Sequence, residues 1–197
     1  LIIEDINVYK KINLNTVLNH SSSLNKHITN NGTLNKTIKI NNKNLTSSEF
    51  LYLMSKTIVN INKTKNSSNI NVNYKSVDSP SQTNFKSING SITKTELVEI
   101  ASKTAKFIEK NNRAPNWVSS SQGRICYNEL VFTLSKSLDY YKTYKKLPAK
   151  LTLEDINKNK NNKKINTKKT TKTTKNTKKT NTTKATKVTK NTKKTNT

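Results

Sequence analysis

The most suggestive neighbours in the chain are Asn116 and Trp117, followed by Ser119, Ser120, Ser121 and Gln122. An exposed aromatic ring beside amide and hydroxyl groups can stack on a flat apolar surface and hydrogen-bond to its polar rim, and this run supplies both. Trp117 falls outside the apolar stripes of the helices on either side of it, so its ring is either a ligand contact or a plug between two helices. Tyr127 and Tyr52 are further candidates. Tyr52 lies off the stripe set by Phe50 and Met54, which leaves it able to face a ligand. Catalysis finds less support. Cys126, His20 and His27 are the thiol and imidazoles a cysteine peptidase would use, but no enzyme-sized domain surrounds them. His20 and His27 are seven residues apart and have no third ligand nearby in sequence, so no metal site is expected. Cys126 reads as a small buried side chain at a strand end. Glu96, Glu99 and Glu109 read as solvated helix charges, and no cofactor is implied.

The elements that must position these residues are crowded into part of the chain. Of 197 residues, 37 are Lys or Arg and 11 Asp or Glu, a net charge of +26. Residues 158–197 contain 15 Lys and 14 Thr, with no acid, aromatic, Gly or Pro. With nothing to bury and mutually repelling lysines, this stretch reads as a disordered basic tail. Residues 61–91 are rich in Asn and Ser and carry Asp78-Ser79-Pro80, and they read as a linker. No run approaches the roughly 18–20 apolar residues of a spanning helix. One cysteine cannot form an internal disulfide. The chain opens at Leu1, so upstream sequence is expected to be missing or removed.

What remains reads as two copies offset by 80 residues, 12–60 and 92–157. TSSEFLYLMSKTI from Thr46 lies over CYNELVFTLSKSL from Cys126, with Glu49/Glu129, Ser55/Ser135 and Lys56/Lys136 identical. LIIEDIN at Leu1 and LTLEDIN at Leu151 form a third echo, as if the chain began at the tail of an earlier copy. Each copy reads as helix, short extended segment, helix. Thr93 with Glu96 and Thr46 with Glu49 are capping-box pairs. Leu97, Ile100, Ala101, Thr104, Phe107 and Ile108 recur at helical spacing, and the helix is expected to stop before Pro115. Gly123 suits a tight turn between two short strands. The last helix is expected to start near Asn128 as its cap, with Leu130, Val131, Leu134, Leu138 and Tyr141 in one stripe. The expected fold is therefore mainly α with short β-hairpin segments: two small helix–turn–helix-like repeats followed by the tail.

The run KFIEKNNRAPNWVSSSQGRICYNELVFTLSKSL, residues 106–138, resembles the pseudomurein-binding repeat. It has a helix ending in a Lys/Glu-rich turn, a Pro-Asn-aromatic-Val step, a Gly-containing turn and a Glu-aliphatic-aromatic helix. The first copy keeps the FLYLMSK run but has Asn35-Lys36-Thr37 in place of Pro115-Asn116-Trp117, which makes it the weaker binder if the ring touches ligand. The resemblance implies a noncatalytic anchor in the wall of a methanogenic archaeon, outside the cell, holding a surface protein to pseudomurein, a glycan cross-linked by short peptides. The wall-polymer-binding residues expected from side-chain chemistry, independently of the resemblance, are Asn116, Trp117, Tyr127 and Tyr52. The tail supports an alternative, nonspecific nucleic-acid binding by charge alone, since it has no Arg and no aromatic residue for reading bases. On a wall it would add only a weak polyanion contact.

Overall fold

A computed structural model describes residues 11–64, 70–83 and 88–156, all within one compact unit. Its elements are β1 (Lys11–Asn13), α1 (Leu14–Asn31), β2 (Thr37–Ile40), β3 (Lys43–Thr46), α2 (Ser47–Lys63) and β4 (Asn71–Asn73). After these come β5 (Gly90–Thr93), α3 (Lys94–Asn111), β6 (Trp117–Ser120), β7 (Gly123–Cys126), α4 (Tyr127–Tyr144) and β8 (Lys150–Leu153). The starts of α1, β2, β3 and α2 recur 80 residues later in α3, β6, β7 and α4. The fold is mainly helical with short antiparallel strand pairs, as expected. The basic tail and the Leu1 echo lie outside the described residues.

The helix ends follow local chemistry. Thr46 caps α2 by accepting from the Glu49 amide at 3.1 Å, and Glu49 Oε2 accepts from the Thr46 amide at 2.7 Å, so the expected capping box is complete. Thr93 caps α3 through the Glu96 amide at 3.3 Å. α3 ends at Asn111, with Asn112 in the left-handed conformation at φ 55°, four residues ahead of the buried Pro115 ring. α4 departs from expectation. It begins at Tyr127, and the N-cap is Cys126, which makes no side-chain cap bond; Asn128 is already inside the first turn.

Strand pairing shows what a helix–turn–helix description leaves out. β2 pairs with β3 and β6 with β7 as tight hairpins, but β1 also pairs with β4 and β5 with β8, so each copy is clasped where it begins and ends. Asn13 faces Asn71 while Thr93 faces Lys150, so the closing strand arrives one residue earlier in the second copy. The stretch read as a linker holds β4. Val77 is buried, and Asp78 exchanges backbone hydrogen bonds of 2.9 Å with Asn112 and Ala114 at the end of α3. The reason is legible in retrospect: Ile70 and Val72 alternate with Asn71 and Asn73, a period-two pattern hidden by the Asn-rich composition.

The core runs through both copies. α1 packs chiefly on α4 and α2 on α3, whereas α1 meets α2 only briefly. Leu24, Ile28, Phe50, Leu53, Met54, Ile100, Ile108, Leu130, Leu134 and Leu138 belong to one continuous buried cluster. Polar bonds join the same helices. Asn25 donates to Asp139 at 2.7 Å, Tyr52 to Glu109 at 3.1 Å, and the Ser48 and Tyr127 hydroxyls share a hydrogen bond of 2.9 Å. Lys56 forms an ion pair with Glu109 at 2.8 Å. Among the described residues no helix is long and apolar enough to cross a membrane.

Candidate functional site

The helical period places Glu96, Glu99, Lys103 and Phe107 of α3 on one face, at spacings of three, four and four residues. The chain then turns at the buried Ala114-Pro115 step and returns as β6 along that face. Ser121, at the tip of the hairpin, reaches the start of the helix: its amide donates to Glu96 Oε1 at 2.5 Å and its hydroxyl to Oε2 at 3.1 Å. The Glu96 carboxylate, expected to complete a capping box with Thr93, thus holds the hairpin. Gly90 is tightly apposed to the tip, since a Cβ there would lie 2.4 Å from Gln122 Oε1.

Between α3 and β6 lies a cleft of about 390 Å³ that includes Lys103, Phe107, Arg113, Pro115 and Trp117 in its lining. Both rings are half-buried. The Arg113 guanidinium lies 5.1 Å from the Phe107 ring centroid, and that of Arg124 lies 4.3 Å from the Trp117 centroid. Each guanidinium is therefore within cation–π distance of an aromatic ring. The ion pairs among the described residues are Lys56–Glu109 and Lys136–Glu154, so Lys103, Arg113 and Arg124 have no carboxylate partner there. A second cleft of about 400 Å³, lined by Glu96, Glu99 and Ser119–Ser121, shares Lys103 and Ser119 with the first. Together they form one groove along α3, acidic at the helix start and aromatic and basic at its end.

The residues singled out from sequence divide into those at the groove and those elsewhere. Trp117 lines its aromatic end. Asn116 lines it, and its carboxamide is engaged with the exposed 81–82 segment and Arg113. Its Oδ1 accepts from Ser81 Oγ at 3.1 Å, the Gln82 amide at 3.2 Å and Arg113 Nη1 at 3.4 Å, and its Nδ2 donates to Ser81 Oγ at 3.0 Å. Asn116 thus fixes the 81–82 segment beside the ring. Tyr127 and Tyr52 lie away from the groove. Tyr127 is 6% exposed and Tyr52 7%, because the helix faces they occupy are covered by the other copy, and each hydroxyl bonds across that junction. Burial raises the Tyr127 phenol above its ordinary range, with the Ser48 bond opposing.

Other candidates have structural partners. Both ring nitrogens of His20 face carbonyl oxygens, of Thr16 at 2.9 Å and Lys39 at 2.8 Å, which ties α1 to β2. Among the described residues no group of three His, Cys, Asp or Glu could hold a metal ion. Cys126 is buried at the end of β7, and desolvation raises its thiol, with Glu129 adding to the effect. Glu109 is no free helix charge. The Lys56 hydrogen bond lowers its carboxyl below the usual range, against a smaller opposing effect of burial. Phe107, Lys103, Arg113 and Arg124 were missed as site residues. Phe107 was assigned to the core stripe, but Ala105 and Ile108 take the buried positions and Phe107 turns to the groove.

The equivalent surface of the first copy has none of this chemistry. Eighty residues earlier, Glu99, Lys103, Phe107, Trp117 and Arg124 correspond to Asn19, Ser23, His27, Thr37 and Asn44.

Fold and groove define a small, mainly helical module whose second copy has a ligand-sized aromatic and charged groove. Residues 88–120, which span β5, α3 and β6, match the family model described as a pseudomurein-binding repeat. The match contains Glu96, Glu99, Lys103, Phe107, Arg113 and Trp117. No curated protein and no solved structure gives a match.

Proposed function

We propose that this protein binds pseudomurein without catalysis through the groove of its second copy and anchors a surface protein to the archaeal cell wall, outside the cell. The observation that supports this best is the Trp117–Phe107 cleft, lined from within the matched segment by rings that the first copy replaces with His27 and Thr37. Flat rings suit sugar faces, and Ser119–Ser121 with the adjoining backbone suit hydroxyls and amides. Trp117 makes the stacking contact, while Asn116 positions it. Under this reading the first copy is a structural partner that covers the inner faces of α3 and α4.

The test is pelleting with pseudomurein sacculi. Trp117→Ala should weaken binding by about 30-fold, the factor that corresponds to ~2 kcal/mol from a central aromatic contact. Tyr74 is unsuitable as an aromatic control. Its hydroxyl donates to Glu49 in the α2 capping box, and Lys43 lies 3.5 Å from its ring centroid. Tyr144, 58% exposed on α4, serves instead, and Tyr144→Ala should bind like the wild type. Equal retention of the Trp117 and Tyr144 variants would remove Trp117 from the site. The rival nucleic-acid reading rests on the composition of residues 158–197. Their deletion should abolish DNA retention and spare most wall retention, whereas loss of both would favour a simple polycation.

A further inference from the structure

The groove is polarised, and this polarity carries information about the ligand. At one end Glu99 is exposed and has no hydrogen-bond or ion-pair partner among the described residues, while the neighbouring Glu96 is occupied by Ser121. At the other end Arg113 lies over Phe107 in the lining and Arg124 over Trp117 just outside it, neither with an ion-pair partner among the described residues, and the exposed Lys103 stands between the two ends. Glu99 and Lys103 are one helical turn apart and still do not pair. Arg113 Nη1 donates to the Ala114 carbonyl at 3.1 Å and to Asn116 Oδ1 at 3.4 Å, which leaves its other N–H groups and those of Arg124 for a carboxylate. Glu99 and Phe107 are eight residues apart on the same helix face, about 12 Å at 1.5 Å per residue.

We infer that the groove binds an extended strand of the wall polymer in one direction, with a free ammonium group at Glu99 and a carboxylate at the Arg113–Arg124 end about 12 Å away. The inference rests on the wall-binding reading above and adds the chemistry and orientation of the bound segment. A ligand lacking either charge would leave one end of the groove unmatched, so the two charges together select the direction of the strand.

Full-length protein is titrated onto sacculi in three forms: native, amidated at carboxylates with carbodiimide, and N-acetylated at free amines. Wild type is expected to bind each modified wall at least fivefold more weakly than the native one. Glu99→Gln should bind native sacculi more weakly and lose nothing further on acetylation, yet remain sensitive to amidation. The double variant Lys103→Gln/Arg124→Gln should show the reverse. Glu99, Lys103 and Arg124 are exposed, so the substitutions leave the core intact. Residues 158–197 are common to all variants and respond to the charge of the wall, so each variant is compared with wild type on the same wall, and the change on modification is read relative to that of wild type. Equal binding of wild type to all three walls overturns the polarity and leaves wall binding standing. So do variants that respond to both modifications as wild type does. Failure of wild type to bind native sacculi brings down the reading on which the inference rests.

Discussion

At the scale of single residues, position on a helix did not by itself decide which aromatic side chains face out. Trp117 could be placed at the site because it falls in a short segment between helices, where no apolar stripe claims it. Tyr52 and Tyr127 lie off or at the edge of stripes in their own copies. They are nonetheless buried, since the covering surface comes from the other copy, and a stripe read within one copy does not show that surface. Phe107 is the converse case. It fits the periodicity of the core, but adjacent positions on a helix are about 100° apart, and Ile108 is the one that points inward. Tyr127→Phe should therefore lower stability by about 1–2 kcal/mol, because the Ser48 hydroxyl, 1% exposed, is left without its partner, while wall binding is unchanged. The phenol is raised in the folded state, so the neutral form is favoured by folding. Its contribution is full below the ordinary tyrosine range and is lost as pH climbs through the raised value. Urea unfolding from pH 8 upward should show part of the alkaline loss in wild type missing from the Phe variant. An alkaline limb of equal steepness in the two would contradict this assignment.

At the scale of elements, the helices and hairpins were legible because their signals are local. Thr46 and Glu49 form the box that their spacing specifies, and Gly123, at φ 117°, opens β7 after a two-residue tip. The clasping strands were not legible, since β1–β4 and β5–β8 join residues nearly 60 positions apart and no local signal specifies such a pairing. The start of α4 shows the value of comparing copies. Cys126 occupies the place that Thr46 holds in the first copy, and it alone of the four N-cap residues forms no side-chain cap bond. Cys126→Thr imports the first copy's cap beside Glu129, the counterpart of Glu49. It should raise stability by about 0.5–1 kcal/mol, a gain readable as a higher midpoint in urea with an unchanged slope. A lower midpoint would show that this buried position is set by packing of the sulfur and not by capping.

At the scale of the whole molecule, the two copies are one folding unit with unequal surfaces. Because α1 lies on α4 and α2 on α3, a single copy would leave a large part of its helix faces in water. The duplication supplies the missing cover without a second chain. The corresponding face of the first copy carries Asn, Ser, His and Thr where the second has Glu, Lys, Phe and Trp. The central claim is that wall recognition is located in the second copy's groove. The chain has a single tryptophan, Trp117, so its intrinsic emission reports on that groove alone. The most direct measurement is to titrate solubilised pseudomurein glycan-peptide fragments into the full-length protein and follow this emission. The account predicts a saturable change in intensity and wavelength that follows the binding curve from pelleting. An unchanged spectrum at fragment concentrations that release the protein from sacculi would contradict it and place recognition elsewhere on the molecule.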